Sequence, residues 1–383
     1  MLIIVPNFMK KILLSAGEAS GDLHGAHLIQ TLLAKQPDCQ FQGMGGDQMQ
    51  AAGCKILVDC KPLGIIGATE ILRKSKQLWA AMRRMRLALS QERPDLLILI
   101  DYSGFNLRLA KYAKRLGITI LYYISPHVWA WRRKRMKTIQ QTVNHMAVIF
   151  PYEMKFYQAA QVPVTYVGNS IVEKTKTTMT HAEAYNFFQL QPSLKTIGLV
   201  PGSRHKEIKL LLPPMLAAAK ELTKKYGPLQ FVLPLASTLT TADLEPYLAN
   251  SALSIKLITE YPNDALALCN AVIAKSGTVT LELALLGIPM VIIYKLSALN
   301  FAIAKRVIKV DAIGLPNLVA GRHIVTELIQ DEANPKQIAS EISRILDDSN
   351  YQQQMRANLA EVKTKLGQTT CDKSIADVVL AMV

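Results

Sequence analysis

The sequence predicts an α/β fold made of two domains, each with a parallel sheet that carries helices on both faces. The first observation is the length, because 383 residues exceed the usual size of one hydrophobic core. The second is that short apolar runs alternate with longer helical patterns from end to end. The third is a polar stretch at 168–193, without a strong strand, which divides these runs into two series.

Nine apolar runs are predicted to form buried parallel strands, because each is a short segment between helical patterns. Before the polar stretch they are residues 12–14, 96–100, 118–123 and 146–149. After it they are residues 196–200, 230–233, 255–258, 271–274 and 289–293. This alternation of strand and helix patterns is typical of a parallel sheet with helices on both faces.

The same pattern predicts the domain boundaries. The first domain covers residues 1–170 and the second covers residues 171–345. Residues 346–383 are predicted to be helices that pack back on the first domain or on a partner subunit, because the chain ends in an apolar segment at 375–383. Exchange of this segment between subunits would give a homodimer.

The composition narrows the class of partner. Lys and Arg number 44 against 29 Asp and Glu, a net charge of +15, which favours nucleic acid, an anionic membrane surface or phosphorylated substrates. The five cysteines form no Cys-x-x-Cys pair, so neither a zinc site nor a disulfide framework is indicated and a reducing cytosol fits. No apolar run approaches the roughly 18 to 20 residues that span a bilayer.

A turn in the second half of the chain predicts a phosphate site. Gly202, Ser203 and Arg204 follow the strand at 196–200 and precede a long helical pattern. Backbone N–H groups, a helix N-terminus and a guanidinium at one place are groups that hold a phosphate or diphosphate. The alternative is a helix start whose arginine meets only solvent or Glu207.

A second turn strengthens this interpretation. Ser276, Gly277 and Thr278 lie between the strand at 271–274 and a helix that carries Glu282. The Glu282 carboxylate is placed to accept hydrogen bonds from both hydroxyls of a ribose; the alternative is an exposed helical glutamate. One such turn is weak evidence, but two in one half of the chain predict a bound nucleotide.

Polar residues also follow the first predicted strand, where ligands of open α/β sheets bind. Glu18, Ser20 and Asp22 lie in a loop flanked by glycines, which lets the loop approach a sugar closely. The alternative is that Ser20 or Asp22 caps the next helix. The loop is not the Gly-x-Gly-x-x-Gly dinucleotide fingerprint, which argues against a dehydrogenase.

Two more strand ends carry candidate residues. Asp101 directly follows the strand at 96–100, where a carboxylate either faces a ligand or caps the next helix. His127 and Trp129 follow the strand that ends at Ile124. No spacing pairs the histidines for a metal, so no metal site is predicted.

Five motifs, in order along the chain, resemble those of the lipid-A-disaccharide synthase family. They are Gly-Glu-Ala-Ser-Gly-Asp at 17–22, Ser-Pro-x-Val-Trp-Ala-Trp-Arg at 125–132, Pro-Gly-Ser-Arg at 201–204, Ser-Gly-Thr with a later Glu at 276–282, and Leu-Pro-Asn-Leu-x-Ala-Gly-Arg at 315–322. The resemblance implies a GT-B fold, in which two Rossmann-like domains face each other across a cleft.

The resemblance also implies a reaction. The family transfers a sugar from UDP-2,3-diacylglucosamine to 2,3-diacylglucosamine 1-phosphate, known as lipid X, and releases UDP. The product is a β-1,6-linked disaccharide 1-phosphate, a lipid A precursor. The implied enzyme is an inverting hexosyltransferase that uses no metal or other cofactor. It would work at the cytoplasmic face of the inner membrane.

The predicted roles combine this resemblance with the positions of the residues. Asp101 is predicted to deprotonate the acceptor 6-hydroxyl, and Arg204 to receive the departing diphosphate. The residues assigned to UDP are Gly202, Ser203, Arg204, Ser276, Gly277, Thr278, Glu282 and Asn317. The residues assigned to the sugar and the acceptor are Glu18, Ser20, Asp22, Asn106, His127 and Trp129.

One motif departs from the family pattern. The family commonly has Asp-x-Pro-Asp-Phe-Asn after the fourth strand, whereas this chain reads Asp-Tyr-Ser-Gly-Phe-Asn from Asp101 to Asn106. Gly104 stands where the second carboxylate is expected. The second carboxylate is therefore absent from this chain, and the role of catalytic base is assigned to Asp101.

A basic segment predicts contact with an anionic membrane surface. Residues 71–89 carry an apolar stripe at helical spacing, which is more often ordinary core, and the rest of this helix is rich in Arg and Lys beside Trp79. The apolar loop at 63–67 and these charges are assigned to lipid. A basic cluster at 132–137 allows nucleic acid as a rival, but the chain has no recognised nucleic-acid module, so none is predicted.

Two alternatives to this function stay open. One is another UDP-GlcNAc-type enzyme of the same two-domain build, either a glycosyltransferase or an epimerase. The other is a peripheral membrane protein that senses a nucleotide without turning over a substrate. Product formation from lipid X separates the first alternative from the main prediction, and UDP binding without product would indicate the second.

Overall fold

The computed structural model describes residues 9–63, 75–126, 133–249, 251–296, 301, 312–367 and 374–383. The chain forms two compact units. The first consists of Met1–Gly168 together with Thr369–Val383, and the second consists of Asn169–Gln368. The predicted boundary at 170 lies two residues beyond the observed division. The predicted third segment, 346–383, is divided between the two units, since residues up to 368 belong to the second.

The first unit contains a seven-stranded sheet with the strand order β3-β2-β1-β4-β5-β6-β7. All of its neighbouring strands are parallel. The strands are β1 (Lys11–Ala16), β2 (Gln40–Gly45), β3 (Lys55–Asp59), β4 (Leu96–Ile100), β5 (Thr119–Tyr123), β6 (His145–Val148) and β7 (Val164–Tyr166).

Helices connect these strands. In the described residues they are α1 (Ala19–Lys35), α2 (Asp47–Ala51), α3 (Ser75–Glu92), α4 (Ser103–Arg115), α5 (Arg133–Thr142) and α6 (Pro151–Ala159), with a short 3₁₀ helix at Lys61–Leu63. The helix α16 (Ile375–Leu380) comes from the far end of the chain and packs beside α1. Parallel neighbours require such crossover connections, because a tight hairpin can join only antiparallel strands.

The first sheet buries alternate residues of each strand on its two faces, as strand geometry requires. On β1, Leu13 belongs to one hydrophobic cluster and Leu14 to the other. On β5, Tyr122 and Tyr123 divide in the same way. Helices α3 and α4 fill the first cluster, while α1 and α16 fill the second. The sheet is therefore covered on both faces, which explains its continuous apolar strands.

The apolar stripe predicted at 71–89 is part of this core in the described residues. The stripe residues that pack into the first cluster are Leu78, Met82, Met85 and Leu89. The opposite side of α3 faces outwards, where the Trp79 side chain is 67% exposed. The guanidinium carbon of Arg83 lies 5.9 Å from the centre of the Trp79 ring. The stripe is thus ordinary core, which is the interpretation that the sequence favoured, and the aromatic and basic residues form the outer surface.

The second unit contains a six-stranded sheet with the order β10-β9-β8-β11-β12-β13, again parallel throughout. Its strands are β8 (Thr196–Val200), β9 (Gln230–Pro234), β10 (Ile255–Ile258), β11 (Ala271–Lys275), β12 (Met290–Tyr294) and β13 (Glu327–Ile329). The central strand β8 is buried over its whole length.

The helices described in the second unit come before, between and after these strands. They are α7 (Ile171–Lys174), α8 (His181–Phe188), α9 (His205–Tyr226), α10 (Thr241–Leu248), α11 (Pro262–Ala267), α12 (Val279–Leu285), α13 (Leu315–Ala320), α14 (Pro335–Asp347) and α15 (Ser349–Gly367). The last of them, α15, packs on α12, α13 and α14. These contacts explain why residues 349–367 belong to the second unit and only the final segment to the first.

All nine predicted strands are present, with ends shifted by a few residues at most. The strands β2, β3, β7 and β13 were not predicted. Among the residues that the structure describes, no helix combines the length and the apolar character needed to cross a membrane.

Candidate functional site

The carboxyl ends of the strands in the first unit carry the predicted base, Asp101. It directly follows β4 and is half-buried. Asp101 and Tyr102 both have left-handed backbone conformations, with φ of 45° and 43°. Such a conformation is uncommon for residues other than glycine, and it concentrates at functional sites.

Hydrogen bonds hold the backbone of Asp101 on both sides. Its N–H donates to the carbonyl of Tyr123 (3.1 Å). Its carbonyl accepts from Tyr122 Oη (2.6 Å) and from Asn106 Nδ2 (2.9 Å). The position of Asp101 is therefore fixed by neighbouring elements rather than by its own turn. Tyr122 was not predicted as a functional residue, because a tyrosine inside an apolar strand gives no signal of its partner.

Asn106, predicted to contact substrate, is completely buried. Its Oδ1 accepts from Ser15 Oγ (2.7 Å), and its Nδ2 donates to the carbonyls of Ser15, Ile100 and Asp101. Both sides of the amide are engaged within the protein. The observed role is to tie the ends of β1 and β4 together, and a direct contact with substrate stays a prediction.

The environment of Asp101 favours its neutral form. Burial raises the pKa of Asp101 above its usual 3.8, and a hydrogen bond from the Tyr102 backbone opposes the rise. A carboxylate with a raised pKa is a stronger proton acceptor when it is ionised. Perturbed carboxylates of this kind concentrate at functional sites.

A second carboxyl group, Glu153, lies close enough to Asp101 for their charges to interact. Glu153 is 1% exposed, and burial raises its pKa to about 8, with the charge of Asp101 adding to the rise. Hydrogen bonds from Ser125 and from the Phe150 backbone oppose it. Ser125 Oγ also lies 2.6 Å from Tyr157 Oη. No sequence pattern singles out Glu153, which lies within α6 and outside every recognised motif.

The three residues of the loop after β1 that were predicted to contact substrate lie in different environments. Glu18 is the N-cap residue of α1 and is exposed, as is Ser20 in the first turn. Asp22 is 5% exposed, and its carboxylate accepts from the backbone N–H groups of Gly46, Gln48 and Met49. The alternative prediction, that Ser20 or Asp22 caps α1, is wrong, because the N-cap residue of α1 is Glu18. The Asp22 carboxylate instead caps the start of α2. Its contact with substrate stays a prediction.

Two other features of this edge bear on the predictions. His127 and Trp129 lie outside the described residues. A side chain added at Gly104 would meet nothing within 4 Å, so the second carboxylate of the family pattern could stand there without a clash. At Gly17 the opposite holds, because an added Cβ would lie 2.1 Å from the ring of Tyr102.

In the second unit, the turn after β8 contains the predicted diphosphate residues. Gly202 has a φ of 113°, and an added Cβ would lie 2.3 Å from Glu207 Oε2. The Ser203 N–H donates to the same oxygen (3.0 Å). Arg204 lies 3.6 Å from Glu207 Oε1 with its side chain 63% exposed. The contacts with Glu207 and solvent are those of the alternative interpretation, and the exposed guanidinium is accessible to an anionic ligand.

Lys275 joins this group from the neighbouring strand β11. Its Nζ lies 3.0 Å from Glu207 Oε1, and both side chains are largely buried. One carboxylate thus contacts a backbone N–H, an ammonium and a guanidinium, which are the groups expected to bind a phosphate. The sequence places Lys275 beside Ser276 but does not predict this ion pair, because it depends on the adjacency of β8 and β11.

The second predicted turn follows β11. The Ser276 N–H donates to the carbonyl of Ile293 (3.0 Å), and its Oγ donates to the carbonyl of Ile313 (2.9 Å). Gly277 and Thr278 lead into α12, which carries Glu282 in its first turn. Glu282 is half-buried, and burial raises its pKa. The turns after β8 and β11 lie at the ends of adjacent strands of one sheet.

Asn317, predicted to contact UDP, is 1% exposed. Its Nδ2 donates to the Val325 carbonyl and to Glu327 Oε1, and its Oδ1 accepts from the N–H groups of Ile324 and Val325. An amide side chain has two donors and two acceptor lone pairs, so all four are engaged. The observed role of Asn317 is to hold the segment before β13, and its contact with UDP stays a prediction.

Comparison with known proteins identifies the family. A family model described as lipid-A-disaccharide synthetase matches residues 12–379. The lipid-A-disaccharide synthase of Trichlorobacter lovleyi is 48% identical over 374 residues, which cover 98% of this chain and 98% of that protein.

Solved structures with lower identity share the fold. The UDP-GlcNAc 2-epimerase from Neisseria meningitidis bound to UDP-GlcNAc matches with a TM-score of 0.62 at 14% identity, over 97% of this chain and 100% of that chain. The calicheamicin glycosyltransferase CalG4 matches with a TM-score of 0.58 at 13% identity, over 98% of both chains. These likenesses confirm the predicted GT-B class. The family model and the identity to its relative show that this chain belongs to the lipid-A-disaccharide synthase family of glycosyltransferases.

Proposed function

We propose that this enzyme transfers 2,3-diacylglucosamine from UDP to the 6-hydroxyl of lipid X with inversion at the anomeric carbon. The observation that carries this proposal is Asp101, a half-buried carboxylate held in a left-handed conformation at the end of β4. A group that must accept a proton from an alcohol needs a fixed position and a raised pKa, and Asp101 has both.

The proposed step is a single displacement. Asp101 takes the proton from the acceptor hydroxyl as its oxygen forms a bond to the anomeric carbon. The bond between that carbon and the β-phosphate oxygen breaks, and UDP leaves with the bonding electrons. Attack from the face opposite to UDP gives the β-linked product. Asp101 ends the step protonated and loses the proton to water.

The second unit would stabilise the departing diphosphate. Arg204 offers an exposed guanidinium. The Ser203 N–H, which donates to Glu207 in this structure, would donate to the diphosphate in its place. Lys275 would add a second positive charge at the end of β11. These groups could neutralise the charge that develops on UDP, so we propose that the transfer proceeds without a metal ion. Glu282 would accept hydrogen bonds from the ribose hydroxyls.

We further propose that the outer side of α3 binds an anionic membrane surface, at the cytoplasmic face of the inner membrane. Trp79, Arg83, Arg84 and Leu87 line a groove of about 480 Å³ with Lys55 on β3. Indole and guanidinium groups suit the interface between headgroups and acyl chains. A lipid acceptor could then enter the enzyme without leaving the membrane completely.

The test of the function is incubation of the full chain with UDP-2,3-diacylglucosamine and lipid X, with the disaccharide 1-phosphate followed by mass spectrometry. We expect product from the parent protein and a 10²- to 10⁴-fold lower kcat for Asp101→Asn, because roughly this factor is supplied by a general base. UDP binding should be unchanged. Asp95→Asn, directly before the same strand β4, is the matched control. Near-normal turnover of Asp101→Asn would remove Asp101 from catalysis.

The pH profile provides an independent check on the base. Because burial raises the pKa of Asp101 above 3.8, the protein loses the ionised base as pH falls through that raised pKa. We expect kcat/KM to decline on the acid side with a midpoint above 3.8. The measurement is kcat/KM against pH at constant ionic strength, with unfolding followed in parallel. An acid limb at or below 3.8 in folded protein would contradict the assignment.

The diphosphate assignment predicts the behaviour of Arg204→Ala. Loss of a charge-assisted contact costs about 1.5–3 kcal/mol, so the Kd for UDP should rise by roughly 10- to 100-fold. Isothermal titration calorimetry measures this Kd directly. Lys225→Ala, at the opposite end of the same helix α9, removes a positive charge far from the turn and should leave the Kd unchanged. Unchanged affinity in Arg204→Ala would reject the site.

The membrane proposal predicts binding to vesicles that contain anionic lipid, with release by salt. Each arginine near such a surface contributes about 1 kcal/mol, so the Arg83→Ala, Arg84→Ala double variant should bind roughly 30-fold more weakly. Sedimentation with vesicles at low and high salt measures this. Lys114→Ala, Arg115→Ala at the end of α4 is the charge-matched control. Absence of sedimentation at low salt would overturn the proposal.

A further inference from the structure

The carboxylate of Glu207 lies where the diphosphate is proposed to bind. Its Oε2 accepts from the Ser203 N–H (3.0 Å), and its Oε1 lies 3.0 Å from Lys275 Nζ and 3.6 Å from Arg204 Nη1. Proteins bind phosphate groups with this same combination of a backbone N–H, an ammonium and a guanidinium. The protein itself therefore supplies an anion to the groups that are assigned to its ligand.

Two glycines make room for this carboxylate and its cation. At Gly202, which has a φ of 113°, an added Cβ would lie 2.3 Å from Glu207 Oε2. At Gly277 in the second turn, an added Cβ would lie 3.3 Å from Lys275 Nζ. The ion pair therefore lies against the backbone of both turns, after β8 and after β11. A diphosphate that contacts both turns needs the space that the carboxylate fills.

The position of Glu207 in the first turn of α9 does not by itself require these contacts. Arg204 is the N-cap residue of α9, and a glutamate three residues later commonly accepts from the N–H of the N-cap residue itself. Thr180 and Glu183 show that arrangement at the start of α8, at 2.8 Å. Glu207 instead contacts the N–H of Ser203, before the N-cap residue, and a cation on another strand. Its contacts thus match an anion site better than a helix cap.

Binding of a diphosphate conflicts with retention of this carboxylate. Like charges repel strongly where little water screens them, and the Glu207 side chain is only 17% exposed. The turn nevertheless opens to solvent on one side, because the Arg204 side chain is 63% exposed. Glutamate has a flexible side chain, so its carboxylate can rotate towards solvent while α9 stays in place. An incoming diphosphate can therefore replace the carboxylate at the same groups.

We propose that Glu207 is a resident counter-ion of the diphosphate site, which the donor displaces on binding and which returns as UDP leaves. The proposal rests on the proposed function, because it takes the diphosphate of UDP as the ligand of these turns. Between turnovers the carboxylate neutralises Lys275 and Arg204. Its displacement opposes the binding of donor and product alike, so it favours the release of UDP after each transfer.

The test is the affinity of Glu207→Gln for UDP and for inorganic pyrophosphate, measured by calorimetry on the full chain. Glutamine has the same shape and can still accept from the Ser203 N–H, but it does not neutralise Lys275 and Arg204. We expect the Kd to fall by roughly 3- to 30-fold for both probes, because a charged competitor for charge-assisted bonds is removed. Glu221→Gln removes an exposed charge further along α9 and should leave both Kd values unchanged.

Steady-state kinetics give a readout that a purely structural role would move in the opposite direction. We expect the KM for the UDP-sugar donor and the inhibition constant for UDP both to fall in Glu207→Gln, with kcat unchanged or lower. If Glu207 only held Lys275 and Arg204 in place, the variant would misplace both cations, and KM and Kd would rise. Unchanged or weaker binding of either probe would therefore overturn the proposal.

A crystal structure of the parent protein with UDP tests the displacement without any substitution. We expect a phosphate oxygen to accept from the Ser203 N–H, and the Glu207 carboxylate to lie beyond hydrogen-bond distance of Lys275 Nζ. A carboxylate that still contacts both groups beside the bound diphosphate would reject the resident counter-ion and retain the diphosphate site.

The Arg204→Ala variant distinguishes failure of this proposal from failure of the function on which it rests. Weaker UDP binding in Arg204→Ala, with no gain in Glu207→Gln, would reject the resident counter-ion alone. Unchanged UDP affinity in Arg204→Ala, or no binding of UDP by the parent protein, would reject the diphosphate site and the counter-ion with it. Weaker binding in Arg204→Ala, with tighter binding in Glu207→Gln, would support both assignments.

Discussion

The parallel direction of every strand pairing in the two sheets is the constraint on which the remaining features depend. Parallel strands bring their carboxyl ends to one edge of each sheet, so residues distant in sequence become neighbours there. In the first unit this edge joins Asp101, after β4, to Tyr122 on β5. In the second unit it joins Glu207, beyond β8, to Lys275 on β11.

Left-handed backbone at strand ends is a second feature of the candidate site in the first unit. Asp101, Tyr102 and Ile124 all have positive φ, at a cost of roughly 1–2 kcal/mol for each residue. Each is fixed by hydrogen bonds to other elements, such as that from the Ile124 N–H to the Ala147 carbonyl. Interactions elsewhere in the sheet offset this cost in free energy. The side chains are therefore held in positions that an unfolded chain would rarely populate.

The sequence predicted the α/β class, the nine most apolar strands and the strand ends that carry polar residues. It did not predict β2, which contains glutamines and glycines, or the three-residue strands β7 and β13, because neither composition nor length marks them as strands. It could not show whether Asn106 and Asn317 face a ligand or the backbone, since their partners lie on other segments. Glu153 and Tyr122 were not predicted as functional residues for the same reason.

The helix α16 has a consequence for the order in which the protein forms. Ile375, Ala376, Val378 and Val379 fill the cluster on one face of the first sheet, next to α1, although they are made after the whole of the second unit. During synthesis the amino-terminal unit leaves the ribosome first with that apolar face still uncovered. The packing of the first unit is therefore completed only after the second unit has been synthesised.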